Sequence, residues 1–338
     1  MVDARGFSRE LAELETALLR GKRVLITAPG SADGDSVGAQ LAVRKMILHR
    51  FPTLEVVILN DEPYPPRYTF MPDSQFAMTP ESYAATGKSK QFDLGIIVDG
   101  GLDRAGRVRE IFEACHTTVF IDHHAVSAKY NYKIRIVDQH AAATTELVFH
   151  LSQTPFFSTP IDHHFAQHIY LGLIFDTGFF RHSNTTPEVM ELGARLLKTG
   201  FDFTRVGERG MLERTYESLM LMSHTLAQAR LYADGRIIWA GISQDTLKSF
   251  KAHEDDREGI IDHLFLTHGV EVAVLFFELP TGRTKISFRS QGAVDVASFA
   301  RELTERGGGH KKAAGANLET PLKDVPDLVL PRLAAKLA

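Results

Sequence analysis

The sequence predicts an α/β protein in which a parallel sheet is followed by a helical segment and a smaller, mixed-sheet α/β domain. Apolar runs typical of strands alternate with helical patterns in the first half of the chain, which favours a parallel sheet. A long helical stretch follows at 186–231, and further strand patterns come after it. The 338 residues suit two domains better than one core. We expect a first domain at 1–190, a helical linker at 191–230 and a second domain at 231–338.

The elements of the first domain follow from their hydrophobic periodicity. An amphipathic helix is predicted at 8–20, with Ser8 as its cap and an apolar face of leucines that includes Leu19. A second helix is predicted from about residue 36 to 50. The strands are predicted at 22–28, 54–60, 92–101 and 117–124.

The second domain has its own strand and helix patterns. The segments "GRIIWAGIS", "VEVAVLFFEL" and "TKISFRS" are typical of strands. A helix is predicted at 294–305, and it leads into the glycine-rich segment "GGGHKKAAGA", which we expect to be a loop.

Composition and charge narrow the classes of function. The longest apolar stretch, at 270–279, is about ten residues, whereas a membrane span needs roughly 20. The first residues carry acids and no apolar core, so we expect neither a signal peptide nor a membrane association. The chain has one cysteine, which excludes a disulfide framework and favours the cytoplasm. The net charge of the chain, −4, disfavours binding of long nucleic acid but allows binding of a small anionic substrate.

Acidic residues recur where the predicted strands end. Asp33 and Asp35 follow the first strand, Asp99 ends the third and Asp122 ends the fourth. A turn around Gly34 would explain one acid but not the recurrence. Like charges at one sheet edge repel unless a cation offsets them. Carboxylates bind hard divalent cations, and manganese also accepts imidazole, so the pattern predicts a metal site.

The tripeptide Asp-His-His occurs twice, in different contexts. At 122–124 it ends a strand, where neighbouring side chains point in different directions, so one histidine can face a metal and the next a phosphate. At 162–164 it follows Thr159 and Pro160, which we interpret as the N-cap and first residue of a helix. We expect the second copy to be a helix start with solvated histidines.

The segment after the second copy carries a further acid and a basic residue. Asp176 ends a long apolar run, as Asp99 does. Arg181 is either an anion ligand or a surface residue. Asn184 and Thr185 are predicted to cap the next helix, with Pro187 in its first turn.

The glycine-rich segment predicts contact with a phosphate or nucleotide. Consecutive glycines, among them Gly308 and Gly309, let a backbone approach a ligand and point N–H groups at it. His310 and the lysines after it add donors and charge. Arg289 on a preceding strand is a further candidate donor to the same anion.

Together these segments resemble a known family, the DHH phosphoesterases with the DHH-associated C-terminal domain. The nearest type is the nanoRNase, pAp-phosphatase and linear-dinucleotide phosphodiesterase group. The similarity spans nearly the whole chain and rests on "DGDSVG", "IIVDG", "FIDHH", "DQHAAATTE", "IFDTGFFRHSNTTPE" and "GGGHKKAAGA".

The resemblance implies a hydrolase with two metal ions, usually manganese, with magnesium as an alternative. By motif, Asp33 would bind the first metal and Asp35 the second, and Asp99 would bridge them. His123 and Asp176 would complete the second site. One departure stands out: the family's first motif begins with a histidine, and this chain has Pro29 there. We therefore expect the first metal to bind weakly.

The same resemblance assigns catalysis and substrate binding. His124 would face the phosphate, and with Asp99 it forms the catalytic pair. The substrate-binding residues would be His124, Arg181, Arg289, Gly308, Gly309 and His310.

The expected function is therefore metal-dependent hydrolysis of short nucleotides. The substrates implied are short oligoribonucleotides, linear dinucleotides such as pApA or pGpG, and 3′,5′-bisphosphate nucleosides. The protein partner considered is a second copy of the chain, in a homodimer. The alternative is a non-catalytic or weakly active nucleotide-binding module with a degraded first metal site. An inorganic pyrophosphatase is disfavoured by the glycine-rich segment, and an exonuclease on long strands by length and acidity.

Overall fold

The computed structural model describes residues 6–124, 130–305 and 307–337. The chain divides into two compact units, Met1–Glu213 and Arg214–Ala338. The boundary falls inside the segment predicted as a linker, which is largely helical, so its helices are shared between the two units. Within the described ranges, no helix combines the length and apolarity that a bilayer crossing requires.

The first unit is built on a six-stranded parallel sheet, which confirms the predicted fold class. The strand order is β3-β2-β1-β4-β5-β6. Its strands are Arg23–Thr27 (β1), Glu55–Leu59 (β2), Ala77–Met78 (β3), Leu94–Val98 (β4), Thr117–Asp122 (β5) and Ile134–Val137 (β6). Its helices are Ser8–Arg20 (α1), Gly34–Arg50 (α2), Pro80–Ala84 (α3), Val108–Glu113 (α4), Thr144–Ser152 (α5), His163–Asp176 (α6), Pro187–Leu197 (α7) and Phe203–Gly207 (α8).

The direction in which successive strands join the sheet reverses between β1 and β4, which we call the point of reversal. From β1 the chain moves outwards to β2 and β3, then returns to form β4 on the other side of β1. In open α/β sheets, ligands bind outside the carboxyl ends of the strands at such a reversal. All five residues of β4 are buried, as expected for a parallel strand that is covered on both faces. The acids that follow β1 and β4 therefore lie side by side.

Three helix starts differ from the sequence prediction by a few residues. The N-cap of α1 is Phe7 rather than Ser8, no side chain caps that end, and Leu19 is exposed because it lies off the buried stripe. In α6, Asp162 itself is the N-cap and accepts a hydrogen bond from Phe165 N. In α7, Thr186 takes the cap position and accepts from Val189 N.

The second unit contains a mixed six-stranded sheet in the order β11-β12-β10-β9-β8-β7. Only β8 and β9 pair in parallel within this sheet. The strands are Arg230–Tyr232 (β7), Ile237–Ile242 (β8), Val272–Glu278 (β9), Thr284–Ser290 (β10), Gly308–His310 (β11) and Ala313–Leu318 (β12). The helices are Tyr216–Ala227 (α9), Gln244–Phe250 (α10), Ile260–Phe265 (α11), Val296–Leu303 (α12) and Val325–Ala334 (α13).

The glycine-rich segment forms a β-hairpin, so the prediction of a loop was wrong. Strands β11 and β12 pair antiparallel, with Gly309 opposite Ala314. Gly309 has φ +135°, and a Cβ there would collide with the backbone of Ala313 and Ala314. A Cβ at Gly307 would collide with the carbonyl of Ala300 in α12. Close packing of strand and helix therefore requires these glycines, independently of any ligand.

Candidate metal centre

Ionisable side chains from β4, β5, α2 and α6 meet at the carboxyl edge of the parallel sheet. Ligand atoms of Asp35, His123 and Asp176 lie within 4.8 Å of one another. Those of Asp99, Asp122, His123 and His124 form an overlapping group by the same measure. His123 belongs to both groups, so the two form one cluster. We call these six residues the metal cluster: Asp35, Asp99, Asp122, His123, His124 and Asp176.

Asp33 and Asp35 start α2 and have different roles. Asp33 is the N-cap, and its Oδ1 accepts hydrogen bonds from the backbone N–H groups of Asp35 and Ser36 at 3.1 and 3.0 Å. Burial and the charge of Asp35 raise the pKa of Asp33. Asp33 does not belong to the metal cluster, and its role as a metal ligand stays a prediction.

Asp35 is fully buried and is held by the N-terminus of α5. Thr144 N donates to Oδ2 at 2.6 Å, and Thr145 N and Thr145 Oγ1 donate to Oδ1 at 2.9 and 2.7 Å. A Cβ at Gly172 of α6 would collide with the carboxylate and with Thr145, which explains the glycine there. These hydrogen bonds from the N-terminus of α5 fix the Asp35 side chain at the cluster. We call Thr144 and Thr145 the threonine clamp.

Asp99 follows β4 in the left-handed region, at φ +58°, which aspartate tolerates better than most residues. Ser36 Oγ donates to its Oδ2 at 2.5 Å, and Thr144 Oγ1 donates to its Oδ1 at 3.2 Å. Burial, followed by the charges of Asp35, Asp33 and Asp176, raises the pKa of Asp99 well above its usual range.

His123 is oriented by a backbone carbonyl. Its Nδ1 lies 3.2 Å from the oxygen of Ala141, which assigns the proton to Nδ1 and leaves Nε2 to face the carboxylates. Nε2 lies 3.1 Å from Asp176 Oδ2, and both atoms are buried with no well-aligned hydrogen bond among the described residues. Burial alone would lower the pKa of His123, but the Asp176 carboxylate raises it to about 9. Burial and the charge of Asp35 raise the pKa of Asp176 to about 7.

These features fit a divalent cation. Several acids share a small buried volume, so a positive charge is required to keep them ionised together. The Nδ1–carbonyl contact of His123 is the arrangement usual for an imidazole that binds a metal through its other nitrogen. Carboxylate oxygens with one imidazole are ligands that manganese and magnesium accept. Asp35, Asp99, His123 and Asp176 would hold the ion.

His124 is turned differently from its neighbour. Its Nδ1 lies 2.8 Å from Asp122 Oδ1, and its backbone N–H donates to the same oxygen at 3.0 Å. Asp122 is buried, whereas the His124 side chain is 40% exposed. Asp122 thus fixes the ring at the solvent side of the cluster, where a substrate can reach it.

The second tripeptide lies outside the cluster. Asp162, His163 and His164 are all exposed, as the sequence predicted for a helix start. Asp162 Oδ2 lies 2.9 Å from Lys45 Nζ. One turn further along α6, His168 is fully buried, and its Nε2 lies 2.9 Å from the carbonyl of Pro72.

Pro29 is buried beside the cluster rather than pointing to solvent. Its ring packs against Gly100, where a Cβ would lie 2.6 Å from Pro29 Cγ. The next residue, Gly30, donates its N–H to the carbonyl of Arg104 at 2.6 Å. The loop after β1 is therefore packed against the loop after β4 by an apolar ring, in place of any ligand.

The turn after α6 carries residues with predicted and unpredicted roles. Arg181 is exposed, and its Nε donates to the carbonyl of Gly178 at 2.7 Å. Asn184 does not cap α7. Its Nδ2 donates to the carbonyls of Ala142 and Asp176 at 3.0 and 3.2 Å, which ties the end of α6 to the start of α5.

In the second unit, strand register aligns two of the predicted substrate residues. Arg289 pairs with Ala313 on β12, and Ala313 pairs with His310 on β11, so Arg289 and His310 share one row on one face of the sheet. Arg289 Nε lies 2.9 Å from Asp262 Oδ1, an ion pair that a ligand would compete with. Gly308 and Gly309 lie beside this row on β11.

Four polar residues support the cluster in ways that the sequence did not predict. Ser36 donates a hydrogen bond to Asp99, the threonine clamp donates to Asp35, and Asn184 links α5 to α6. The available signal was a Thr-Thr pair at a helix start, where free N–H groups are expected. Their partners are distant in sequence, however, so nothing local indicated what they bind.

The comparisons with known proteins agree with this geometry. Residues 23–173 match the DHH family, N-terminal domain, and residues 236–333 match the DHHA1 domain. A relative from Thermus thermophilus, named bifunctional oligoribonuclease and PAP phosphatase NrnA, is 27% identical over 85% of this chain and 81% of its own length. A protein of the same name from Mycoplasma pneumoniae is 24% identical over 92% of each chain.

Solved structures share the fold. An exopolyphosphatase-related protein from Bacteroides fragilis superposes with a TM-score of 0.87 at 23% identity and covers 97% of both chains. RecJ from Thermus thermophilus in complex with Mn²⁺ superposes with a TM-score of 0.54 at 17% identity, over 99% of this chain and 54% of RecJ. The matched domains lie in the order that the sequence resemblance requires. The chain therefore contains a DHH family N-terminal domain in its first unit and a DHHA1 domain in its second.

Proposed function

We propose that this protein hydrolyses phosphate esters of short nucleotides with the help of a divalent cation. The observation that carries the proposal is the buried convergence of Asp35, Asp99, Asp176 and His123 at the point of reversal of the parallel sheet. Such a group of acids with one oriented imidazole serves little structural purpose, because it is stable only with a cation present.

The chain's own residues prepare the site for a phosphate ester. The threonine clamp fixes the Asp35 side chain by hydrogen bonds, and Ser36 and Thr144 orient Asp99. His124, steadied by Asp122, offers its other ring nitrogen to charge that develops on a phosphoryl oxygen. A bound divalent cation would supply Lewis-acid polarisation of the phosphoryl group.

Several observations support short nucleotides as the substrate. Relatives are named oligoribonuclease and PAP phosphatase, with PAP being a small bisphosphorylated nucleotide. The net charge of −4 disfavours binding of long nucleic acid, which usually requires a basic excess. The row of Arg289 and His310 places donors beside a glycine-rich strand in the second unit. We include manganese as the preferred ion, magnesium as a substitute, a homodimer and a cytoplasmic location in the proposal.

Turnover of a substrate panel tests the proposal. Purified protein with manganese is incubated with a diribonucleotide, pApA, pGpG, 3′,5′-bisphosphoadenosine, pyrophosphate and a long single strand. We expect phosphate release or chain cleavage with at least one of the first four and no turnover of the last two. Asp99→Asn is the matched control and should be inactive. Pyrophosphate hydrolysis alone, or turnover that persists in Asp99→Asn, would contradict the proposal.

A second candidate, a weakly active nucleotide-binding module, is favoured by Pro29. The Pro29 ring packs on Gly100, at the position where the resemblance implies a ligand of the first metal. We therefore expect one metal ion per chain. Pro29→His supplies an imidazole. If the loop accepts the loss of proline's fixed φ, metal content should rise towards two ions per chain and turnover should increase. Nucleotide binding without turnover in both proteins would favour the binding module instead.

A further inference from the structure

A pocket of about 200 Å³ opens beside the metal cluster and lies wholly within the first unit. It is lined by Asp99, Asp122 and His124 and by Gly100, Gly101, Asp103 and Arg104 of the turn that follows β4. Phe120 and Tyr132 also line it and stack on one another, with ring centroids 4.7 Å apart.

Among the described residues that line this pocket, Arg104 carries the positive charge. Its side chain is exposed, and among residues 6–124, 130–305 and 307–337 its guanidinium forms no hydrogen bond or ion pair. The neighbouring Arg107 differs, because its guanidinium contacts Asp61 and Glu81. One arginine of the segment thus holds the fold together, and the other keeps its donors for a ligand.

The turn that carries Arg104 is held in place at both ends. The Arg104 carbonyl accepts the Gly30 N–H at 2.6 Å, and the Arg104 N–H donates to the Gly101 carbonyl at 3.1 Å. Leu102 N donates to the Tyr132 hydroxyl at 3.1 Å. A guanidinium on a fixed turn loses less conformational entropy on binding than one on a mobile loop.

We infer that Arg104 and the backbone of Gly100 form a phosphate subsite next to the metal cluster. This inference rests on the proposed function and deepens it. Guanidinium pairs bidentately with phosphate oxygens, and a glycine lets an anion approach the backbone closely. Gly101 is less open, because Asp103 Oδ1 lies 2.5 Å from where its Cβ would be. At Gly100, which has φ +127°, the Pro29 ring fills the space where a Cβ would lie. A phosphate would therefore approach Gly100 from the pocket.

The acids that line the pocket set a condition for this subsite. Asp122 is engaged by His124, but Asp99 and the exposed Asp103 repel a phosphate unless a cation in the metal cluster offsets their charge. The subsite therefore fills together with the metal cluster. Its occupant is a phosphoryl group, either the one that is cleaved or a terminal phosphate of the same nucleotide.

Arg104→Gln tests the inference, with Arg104→Lys as the charge-preserving variant. Arg20→Gln is the matched control, because Arg20 is also an exposed arginine of the first unit but lies just before β1, at the opposite sheet edge. Each protein is assayed on a 5′-phosphorylated and an unphosphorylated dinucleotide. Inorganic phosphate is titrated calorimetrically into each manganese-loaded protein, and manganese content is measured.

We expect Arg104→Gln to weaken phosphate binding about tenfold or more with unchanged manganese content, while Arg104→Lys recovers part of it and Arg20→Gln equals the wild type. If Arg104→Gln loses kcat/KM equally on both dinucleotides, the subsite binds the phosphate that is cleaved. If it loses kcat/KM only on the phosphorylated dinucleotide, the subsite binds the terminal phosphate. Wild-type phosphate affinity in Arg104→Gln, or loss of manganese with Arg104, would overturn the inference. If no protein turns over either dinucleotide, the proposed function fails, and the calorimetry still decides the subsite.

Discussion

The Asp-His-His tripeptide at 122–124 and its copy at 162–164 have the same residues and opposite environments. In the first copy, Asp122 is buried at the end of β5 and His123 faces Asp35 and Asp176. In the second, all three side chains are exposed at the start of α6. The difference shows that the tripeptide alone does not assemble a cluster of acids. Its position after a parallel strand brings it to the edge where other acids converge.

Two buried histidines extend this comparison. His123 lies among carboxylates, which raise its pKa to about 9. His168, on the helix that the second copy starts, is fully buried, and burial lowers its pKa to about 4 although Asp73, 4.0 Å away, acts to raise it. Burial lowers the pKa of both histidines, so the number and closeness of the neighbouring carboxylates decide the outcome.

The largest expected effect separates the two copies by activity. His123→Ala removes an imidazole from the metal cluster, and His124→Ala removes the ring at its solvent side. Each should lower kcat/KM by about 100-fold or more. His163→Ala and His164→Ala, the matched controls on α6, should stay within about twofold of the wild type. Equal losses from both pairs, measured on the same substrate, would show that the second copy also serves the site.

The second prediction concerns the pH dependence of stability through His168. Its folded pKa of about 4 lies below the unfolded value near 6.5, so the unfolded state binds more protons between these values. The free energy of unfolding should therefore fall as pH drops from about 6.5 to 4, by up to about 3 kcal/mol. The groups that face it are the Pro72 carbonyl, Asp73, Lys45 and His164.

His168→Gln keeps a donor for the Pro72 carbonyl but has no proton to gain. Urea unfolding of this variant should lose much of the pH dependence in that window. An equally steep decline in the variant would assign the acid sensitivity to other groups.

The third prediction concerns the hydrogen bond that positions Asp35, one of the carboxylates that His123 of the first copy faces. Thr145→Val removes the hydroxyl that donates to Asp35 Oδ1 but keeps the shape of the side chain. Manganese affinity, measured by titration calorimetry, should fall about tenfold, since residues that orient metal ligands carry effects of about 10- to 100-fold. Thr145→Ser should restore it. Failure of serine to rescue the affinity would mean that packing, rather than the hydrogen bond, positions Asp35.

The smallest effect is expected at the second copy. Asp162→Ala removes the N-cap of α6 and the ion pair with Lys45. Although burial alone would raise the pKa of Asp162, the Phe165 N–H and Lys45 lower it. The substitution should lower the free energy of unfolding by about 1 kcal/mol and leave metal content unchanged. A loss of metal in this variant would contradict the structural role of the second copy.

The sequence predicts the sheet and the cluster well for a physical reason. Parallel strands are short apolar runs, and their carboxyl ends share one edge, so acids after β1, β4 and β5 had to converge. Helix starts were placed less well, because Asp162 and Thr186 compete with nearby residues that have the same capping chemistry.

Two features were beyond local sequence signals. Strand β11 contains Gly308 and Gly309, and glycine weakens a strand, so only its pairing with β12 shows that it is one. The threonine clamp acts across 109 and 110 residues on Asp35. Contacts of that kind depend on how α2 and α5 pack, which periodicity does not encode.

Anomalous scattering from a manganese-soaked crystal tests whether the metal cluster, and not the second tripeptide, binds the ion. We expect a strong anomalous peak bounded by Asp35, Asp99, His123 and Asp176, and no peak beside Asp162, His163 or His164. A peak at the second tripeptide, or none among the four residues at saturating manganese, would contradict it.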